Sequence, residues 1–159
     1  MALRIGFGYD IHAKKEGRTL MLGGVTFEGE RGLDGHSDAD VLLHAIGDAL
    51  LGALALGDLG QHFPPADARW KDASSVRLLG LIRAMLDGHG AKIVNIDCTV
   101  VAELPKLLPR RDEMRKTIAQ ALRLGANQVS IKATTNEGLG AVGRDEGIAA
   151  WAVALVETP

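Results

Sequence analysis

Near the start of the chain, Leu3, Ile5, Phe7 and Tyr9 alternate with Arg4, Gly6 and Gly8. A period of two predicts a β-strand over residues 3–9 with an apolar face and a nearly bare one. Two glycines inside a strand imply that another backbone approaches closely on the bare side. The strand ends at Asp10 and His12, which are two positions apart and so leave the same face. His44, much farther along the chain, is the best third donor. One carboxylate and two imidazoles make the ligand count of a catalytic zinc site, with a fourth position open for water or substrate.

A length of 159 residues fits a single domain, residues 1–159, with a substantial core. Only 4% of residues are aromatic while 47% are hydrophobic, so Ala, Leu and Val must fill the interior. Such a core packs backbones closely and leaves apolar surface over for a partner subunit. The formal net charge of −2 argues against general nucleic-acid or anionic-membrane binding. Cys98 is the only cysteine, which excludes an intramolecular disulfide and fits a reducing compartment. The start, Met1-Ala2-Leu3-Arg4-Ile5, has no basic segment leading into an apolar signal core, and no apolar run is long enough for a bilayer. A soluble cytoplasmic protein is expected.

Leu20 to Phe27 reads as a short hairpin turning at Gly23-Gly24, and residues 28–35 as loop. A helix is expected from Ser37 or Asp38, either of them a possible N-cap, to about Gly57. Leu43, Ile46, Leu50, Ala53 and Leu54 form its apolar stripe, while Asp40, His44 and Asp48 form a polar one. Residues 58–72 have loop composition and a length suited to a lid. A second helix spans 73–87, capped by Asp72 or Ser74, with Val76, Leu79, Ile82 and Leu86 inward and Gly88 as its stop. Residues 93–102 are rich in β-branched side chains and predict a strand. A third helix starts after Pro109 and runs to about Leu124, closed by Gly125. A strand at 128–134, a Gly-rich loop at 136–143 and a last strand at 147–156 follow. The last is apolar on both faces, which predicts burial on both sides. The order predicts an α+β fold, a mixed sheet with helices on one face. Its other face needs a cover, and another copy of the chain would supply one.

Two further stretches carry chemistry. Leu104-Pro105-Lys106-Leu107-Leu108-Pro109 joins a buried strand to a helix start, where free N–H groups favour an anion and Lys106 offers a counter-charge. In Lys132-Ala133-Thr134-Thr135-Asn136-Glu137, hydroxyls stand at a strand end and Glu137 offers a hard oxygen of the kind Mg²⁺ takes beside phosphates. Neither a Walker-type P-loop nor a dinucleotide fingerprint is present. His62, in a loop, and His89, between two glycines past a helix end, read as surface or hydrogen-bonded residues.

Gly8-Tyr9-Asp10-Ile11-His12, Gly23-Gly24, His36-Ser37-Asp38-Ala39-Asp40 with His44, Gly57-Asp58-Leu59-Gly60, Pro105-Lys106 and Lys132-Ala133-Thr134-Thr135 occur in this order. Together they resemble the 2-C-methyl-D-erythritol 2,4-cyclodiphosphate synthases over essentially the whole chain. The resemblance implies a lyase reaction of the non-mevalonate route to isoprenoid precursors. In it the 2-phosphate of 4-diphosphocytidyl-2-C-methyl-D-erythritol 2-phosphate attacks the β-phosphorus and expels CMP. It implies Zn²⁺ on Asp10, His12 and His44, and a second ion, Mg²⁺ or Mn²⁺, bridging phosphates with help from Glu137. It implies His36 and Ser37 at the 2-phosphate, and Asp58 and Gly60 at the erythritol hydroxyls. Ala102, Lys106, Leu107, Leu108, Ala133, Thr134 and Thr135 would line the cytidine diphosphate pocket. Asp48 would orient a ligand or a polar neighbour. Three protomers would pack their sheets around a threefold axis, with active sites between them.

The sequence departs from the family pattern at Pro65, where an acidic residue is common, at Ala141, often aromatic, and at Asp145, often glycine. Arg144 would still offer a guanidinium to an anion near the axis, while a hydrophobic ligand there loses support. Two other readings remain open at this point. A zinc phosphodiesterase would use the same ligands to activate water, and a non-catalytic trimeric binding module would need no metal.

Overall fold

In the computed structural model, which describes residues 1–159, the alternating N-terminal stretch forms β1 (Ala2–Lys15). The strand does not stop at the expected ligands: Asp10, Ile11, His12 and Ala13 pair onward with Ala150, Ala149, Ile148 and Gly147. Both ligands therefore stand on backbone held by a ladder. Strands β2 (Leu20–Leu22) and β3 (Val25–Phe27) make the expected hairpin, with Gly23 and Gly24 at φ of 62° and 75°. The segment read as loop contributes a short β4 (Gly32–Leu33), paired with the end of β1.

Helix α1 (Val41–Ala53) begins later than the sequence pattern suggests. Ala39 has φ 57°, which interrupts helical geometry, and Asp40 is the N-cap, accepting from the Leu43 N–H. Asp40 is also not part of a solvated stripe, for it is fully buried. Its carboxylate takes the N–H of Gly23 at 3.0 Å and of Gly24 at 2.7 Å, so the hairpin turn is fastened to the helix start. Burial pushes the Asp40 carboxyl up, and these main-chain donors oppose the shift. The helix ends ahead of Gly57, with Leu54 as C-cap.

The stretch 58–72 is not wholly loop: it holds α2 (Leu59–His62), capped by Asp58, and a 3-10 turn at Ala68–Trp70. Helix α3 (Ser75–Gly88) buries Leu78, Leu79, Ile82 and Leu86, with Val76 only half-buried. Strand β5 (Lys92–Val101), helix α4 (Arg111–Leu122), strand β6 (Val129–Thr134), the single turn α5 (Gly140–Gly143) and strand β7 (Gly147–Thr158) complete the chain. Arg123 closes α4 in a left-handed conformation, φ 55°, before Gly125 is reached. No helix is long and apolar enough to cross a membrane.

The fold is mixed α+β. The main sheet has the order β4-β1-β7-β5-β6, with β5 and β6 parallel and the other pairs antiparallel. Helix α1 lies on β1 and β7, closer than side chains allow. A Cβ on Gly6 would fall 1.7 Å from the Ala49 carbonyl oxygen, and one on Gly8 1.9 Å from that of Ala45. The close approach expected from the glycines is thus made by a helix backbone. The opposite face of the sheet is open within one chain. Leu3, Ile5, Phe7, Tyr9 and Ile11 are 44–73% exposed there. Strand β7 is buried on both sides only near its start, where Ala149 is buried on the open face; beyond it Val153 is exposed and Trp151 and Leu155 are half-buried there.

Candidate metal centre

Asp10 and His12 leave β1 on the side of Gly6 and Gly8, and α1 brings His44 over them. Asp10 Oδ2 lies 2.9 Å from His12 Nε2 and 3.0 Å from His44 Nδ1, and the two nitrogens are 3.3 Å apart. No other three His, Cys, Asp or Glu side chains converge in this way. Ligands about 2.0 Å from a tetrahedral ion stand about 3.3 Å from one another, so the donor atoms have nearly the spacing zinc needs.

Proton accounting points the same way. His12 Nδ1 is 2.7 Å from the Asp34 main-chain oxygen, which only accepts, so Nδ1 carries the proton. His12 Nε2 then turns a lone pair toward the Asp10 carboxylate, an arrangement that needs a cation or a proton between them. Burial would raise the Asp10 carboxyl, but the hydrogen bonds and charges of His12 and His44 outweigh it and hold the group well below the usual carboxylate range. Burial would likewise lower His12, yet Asp10 holds it above its ordinary value. Both shifts describe a place that favours positive charge.

Asp10, His12 and His44 open onto a cavity of about 250 Å³ that His36, Ser37, Asp48, Gly60 and Pro65 also line. Ser37 Oγ is 3.0 Å from His44 Nε2. Asp48 orients a main-chain group, accepting the Leu59 N–H at 2.8 Å, which ties α2 to α1. Asp58 stands beside this cavity in sequence, but its carboxylate caps α2 through the Gln61 N–H.

A second cleft, of about 210 Å³, gathers Ala102, Lys106, Leu107, Leu108, Ala133, Thr134 and Thr135, together with Pro105. All seven residues expected at one pocket thus come together, at the ends of β5 and β6. This cleft shares no residue with the first. Asp10 pairs with Ala150, Ala150 with Val100 and Val100 with Ala133. Three strand spacings, about 14 Å, separate the two sites within a chain. Glu137 and Arg144 line neither cavity. Arg144 pairs with Glu146 at 2.7 Å, and Asp145 with Lys14 and Arg31. His62 and His89 bond the carbonyls of Leu56 and Met85, apart from the cluster.

Several residues that line the first cavity carry little signal in the sequence. Phe63 and Trp70 pack edge to face, 4.9 Å between centroids, and with Leu59 and Leu78 make the apolar wall of the first cavity. A pair of aromatics within a loop of an aromatic-poor chain was the available signal. The contacts of Ser75 and Asp38 carry no such signal: Ser75 Oγ is 3.0 Å from His44 Nε2 and donates to Asp38.

The YgbB family model matches residues 3–157. A 2-C-methyl-D-erythritol 2,4-cyclodiphosphate synthase of Salinibacter ruber is 57% identical over 156 residues, covering 98% of this chain and 99% of the relative. Among solved structures, the bifunctional IspDF of Campylobacter jejuni superposes with a TM-score of 0.95 at 39% identity. The match covers 99% of this chain but 43% of that longer one. The Plasmodium falciparum IspF–CDP complex superposes at 0.87 with 35% identity, covering 99% of this chain and 97% of the other.

Proposed function

The chain belongs to the YgbB family, and from that premise we propose that it converts 4-diphosphocytidyl-2-C-methyl-D-erythritol 2-phosphate to 2-C-methyl-D-erythritol 2,4-cyclodiphosphate and CMP. The 2-phosphate oxygen forms a bond to the β-phosphorus as the bond from that phosphorus to the CMP oxygen breaks. The enzyme is a phosphorus–oxygen lyase. The observation that carries the reading is the convergence of Asp10, His12 and His44 at the mouth of a cavity, in a chain 57% identical to a named synthase.

Asp10 Oδ2, His12 Nε2 and His44 Nδ1 would hold Zn²⁺, and Glu137 would help hold Mg²⁺ or Mn²⁺; when bound, these ions neutralise phosphate charge and fix orientation. The protein then needs no nucleophile or strong base. His36 and Ser37 meet the 2-phosphate. Asp58 and Gly60 hold the erythritol hydroxyls, Asp58 while it caps α2. Ala102, Leu107, Leu108 and Ala133 surround the cytidine. Lys106, Thr134 and Thr135 offer charge and hydroxyl donors to the diphosphate, and Arg144 binds an anion near the axis. Phe63 and Trp70 close the cavity wall against water.

The working unit in this reading is a homotrimer, each active site joining the metal end of one protomer to the cytidine cleft of its neighbour. Two observations support it: an open sheet face on which Leu3, Ile5, Phe7, Tyr9 and Ile11 stand in one exposed row, and two separate cavities in one chain. Residues 1–159 act as one domain, in the cytoplasm.

The test is to incubate purified protein with the diphosphocytidyl substrate, Zn²⁺ and Mg²⁺, and weigh the products. CMP together with a cyclic diphosphate is expected. A linear, water-added product would instead make the chain a phosphodiesterase.

A further inference from the structure

We propose that Asp38 and Ser75 form a positioning pair that fixes which nitrogen of His44 carries its proton, leaving Nδ1 bare toward the metal. The inference rests on Asp10, His12 and His44 holding zinc. Ser75 is the first residue of α3 and only 1% exposed, so no solvent competes for its hydroxyl. Its N–H donates to Asp38 Oδ2 at 2.9 Å and its hydroxyl donates to Asp38 Oδ1. A carboxylate only accepts, and a hydroxyl has one proton. With that proton spent on Asp38, Ser75 Oγ presents a lone pair to His44 Nε2, 3.0 Å away. The Nε2 position therefore carries a proton, and once an ion replaces the Nδ1 contact with Asp10 it is the only one the neutral imidazole has. Nδ1, 3.0 Å from Asp10 and 3.3 Å from His12 Nε2, is left as a donor for the ion. Ser37 Oγ, also 3.0 Å from Nε2, takes a share of the same proton while accepting the Ala39 N–H, so its own hydroxyl proton stays available.

Asp38 also has a structural duty, because Ser74 makes no side-chain cap and Asp38 supplies the acceptor for the start of α3. Asp38→Asn separates the two roles. Its amide oxygen can keep the Ser75 N–H, but its NH₂ then faces Ser75 Oγ and gives up the Asp40 N–H that Asp38 Oδ1 accepts at 3.2 Å. The hydroxyl turns its proton onto His44 Nε2, and the imidazole proton is driven to Nδ1, into the metal site. Asparagine caps helices about as well as aspartate, so capping alone is little disturbed.

Zinc affinity of metal-stripped protein, measured by competition with a chromophoric chelator, tests this on wild type, Ser75→Ala, Asp38→Asn and the double variant. Thermal unfolding checks that each is folded. Asp38→Asn should weaken zinc binding about 10–100-fold, as loss of a ligand's hydrogen-bond partner does. Ser75→Ala should cost less, because Ser37 still accepts from Nε2. The double variant should recover to the Ser75→Ala level, since the misdirected hydroxyl is gone. Wild-type affinity in Asp38→Asn, or a double variant no better than Asp38→Asn, would overturn the pairing. Should Asp38→Asn fail to fold, ¹⁵N-histidine spectra of the metal-stripped wild type, with His44 neutral, decide. A proton on His44 Nε2 in contact with Ser75 supports the pairing, and one on Nδ1 overturns it. A wild type that takes up no zinc removes the metal reading and this inference together. Tight zinc binding with equal affinities in all four proteins removes only the inference.

Discussion

The two faces of β1 are built from neighbouring residues and meet opposite fates. On one, Gly6 and Gly8 let the α1 backbone touch the strand, and Asp10 and His12 continue that face into the candidate metal centre. On the other, Leu3, Ile5, Phe7, Tyr9 and Ile11 stand largely in solvent, with Tyr9 against Trp151 at 5.0 Å and no helix above them. The chain completes the first face by itself. The second is apolar and stays uncovered within the chain, and in the proposed trimer another copy would complete it. A shift of the strand's register by one residue would exchange Asp10 and His12 for the exposed apolar row.

The sharpest way to break this contrast is on the covered face. Gly8→Val places a side chain where the Ala45 carbonyl stands. It should destabilise the protein by about 3 kcal/mol or more, seen as loss of soluble, cooperatively unfolding material. Next, His44→Ala should leave the melting transition largely in place but lower turnover by more than about 100-fold, since even a ligand's hydrogen-bond partner is worth up to that much. Full activity would remove the metal assignment. On the open face, Phe7→Glu should give a folded monomer by sedimentation, each interface copy otherwise burying an unpaired charge at about 3 kcal/mol or more. Its turnover should fall with assembly, whereas an active Phe7→Glu monomer would show that the site is complete in one chain. Thr135→Ala, far across the sheet from the ligands, should weaken cytidine-nucleotide binding about fivefold, the worth of one hydrogen bond, with zinc affinity unchanged. Cys98 should respond least. Burial, with the nearby Asp97 charge, pushes its thiol up to about 12, so it should resist alkylation until the protein unfolds.

Much of this is legible in the amino-acid order because it is local. Alternation from Leu3 to Tyr9 announces both faces of β1, the paired glycines announce the close helix, and the Asp10/His12 spacing announces a shared direction. The hairpin at Gly23-Gly24 follows from the only residues that adopt its backbone easily. What cannot be read depends on partners distant in the chain. Asp40 has the spacing of a solvent stripe with His44 and Asp48, and only the Gly23-Gly24 turn folding onto it makes it a buried anchor. Ser75 looks like an ordinary helix start until Asp38 and His44 close on it from another segment. Trp70 lies in a stretch with loop composition, yet its ring is packed into the cavity wall with Nε1 buried and unpartnered. The true end of β1 is hidden because Asp10 and His12 lower its apolar signal, while β7 pairs with them through main-chain bonds that no side-chain pattern records.

The most direct measurement is a zinc titration of metal-stripped protein, with Mg²⁺ present throughout, following release of CMP from the diphosphocytidyl substrate. Turnover should be negligible at the start, rise with added zinc and level off at about one ion per Asp10/His12/His44 set. Release of CMP at full rate without zinc and in the presence of a chelator would contradict a metal-holding role for those three side chains.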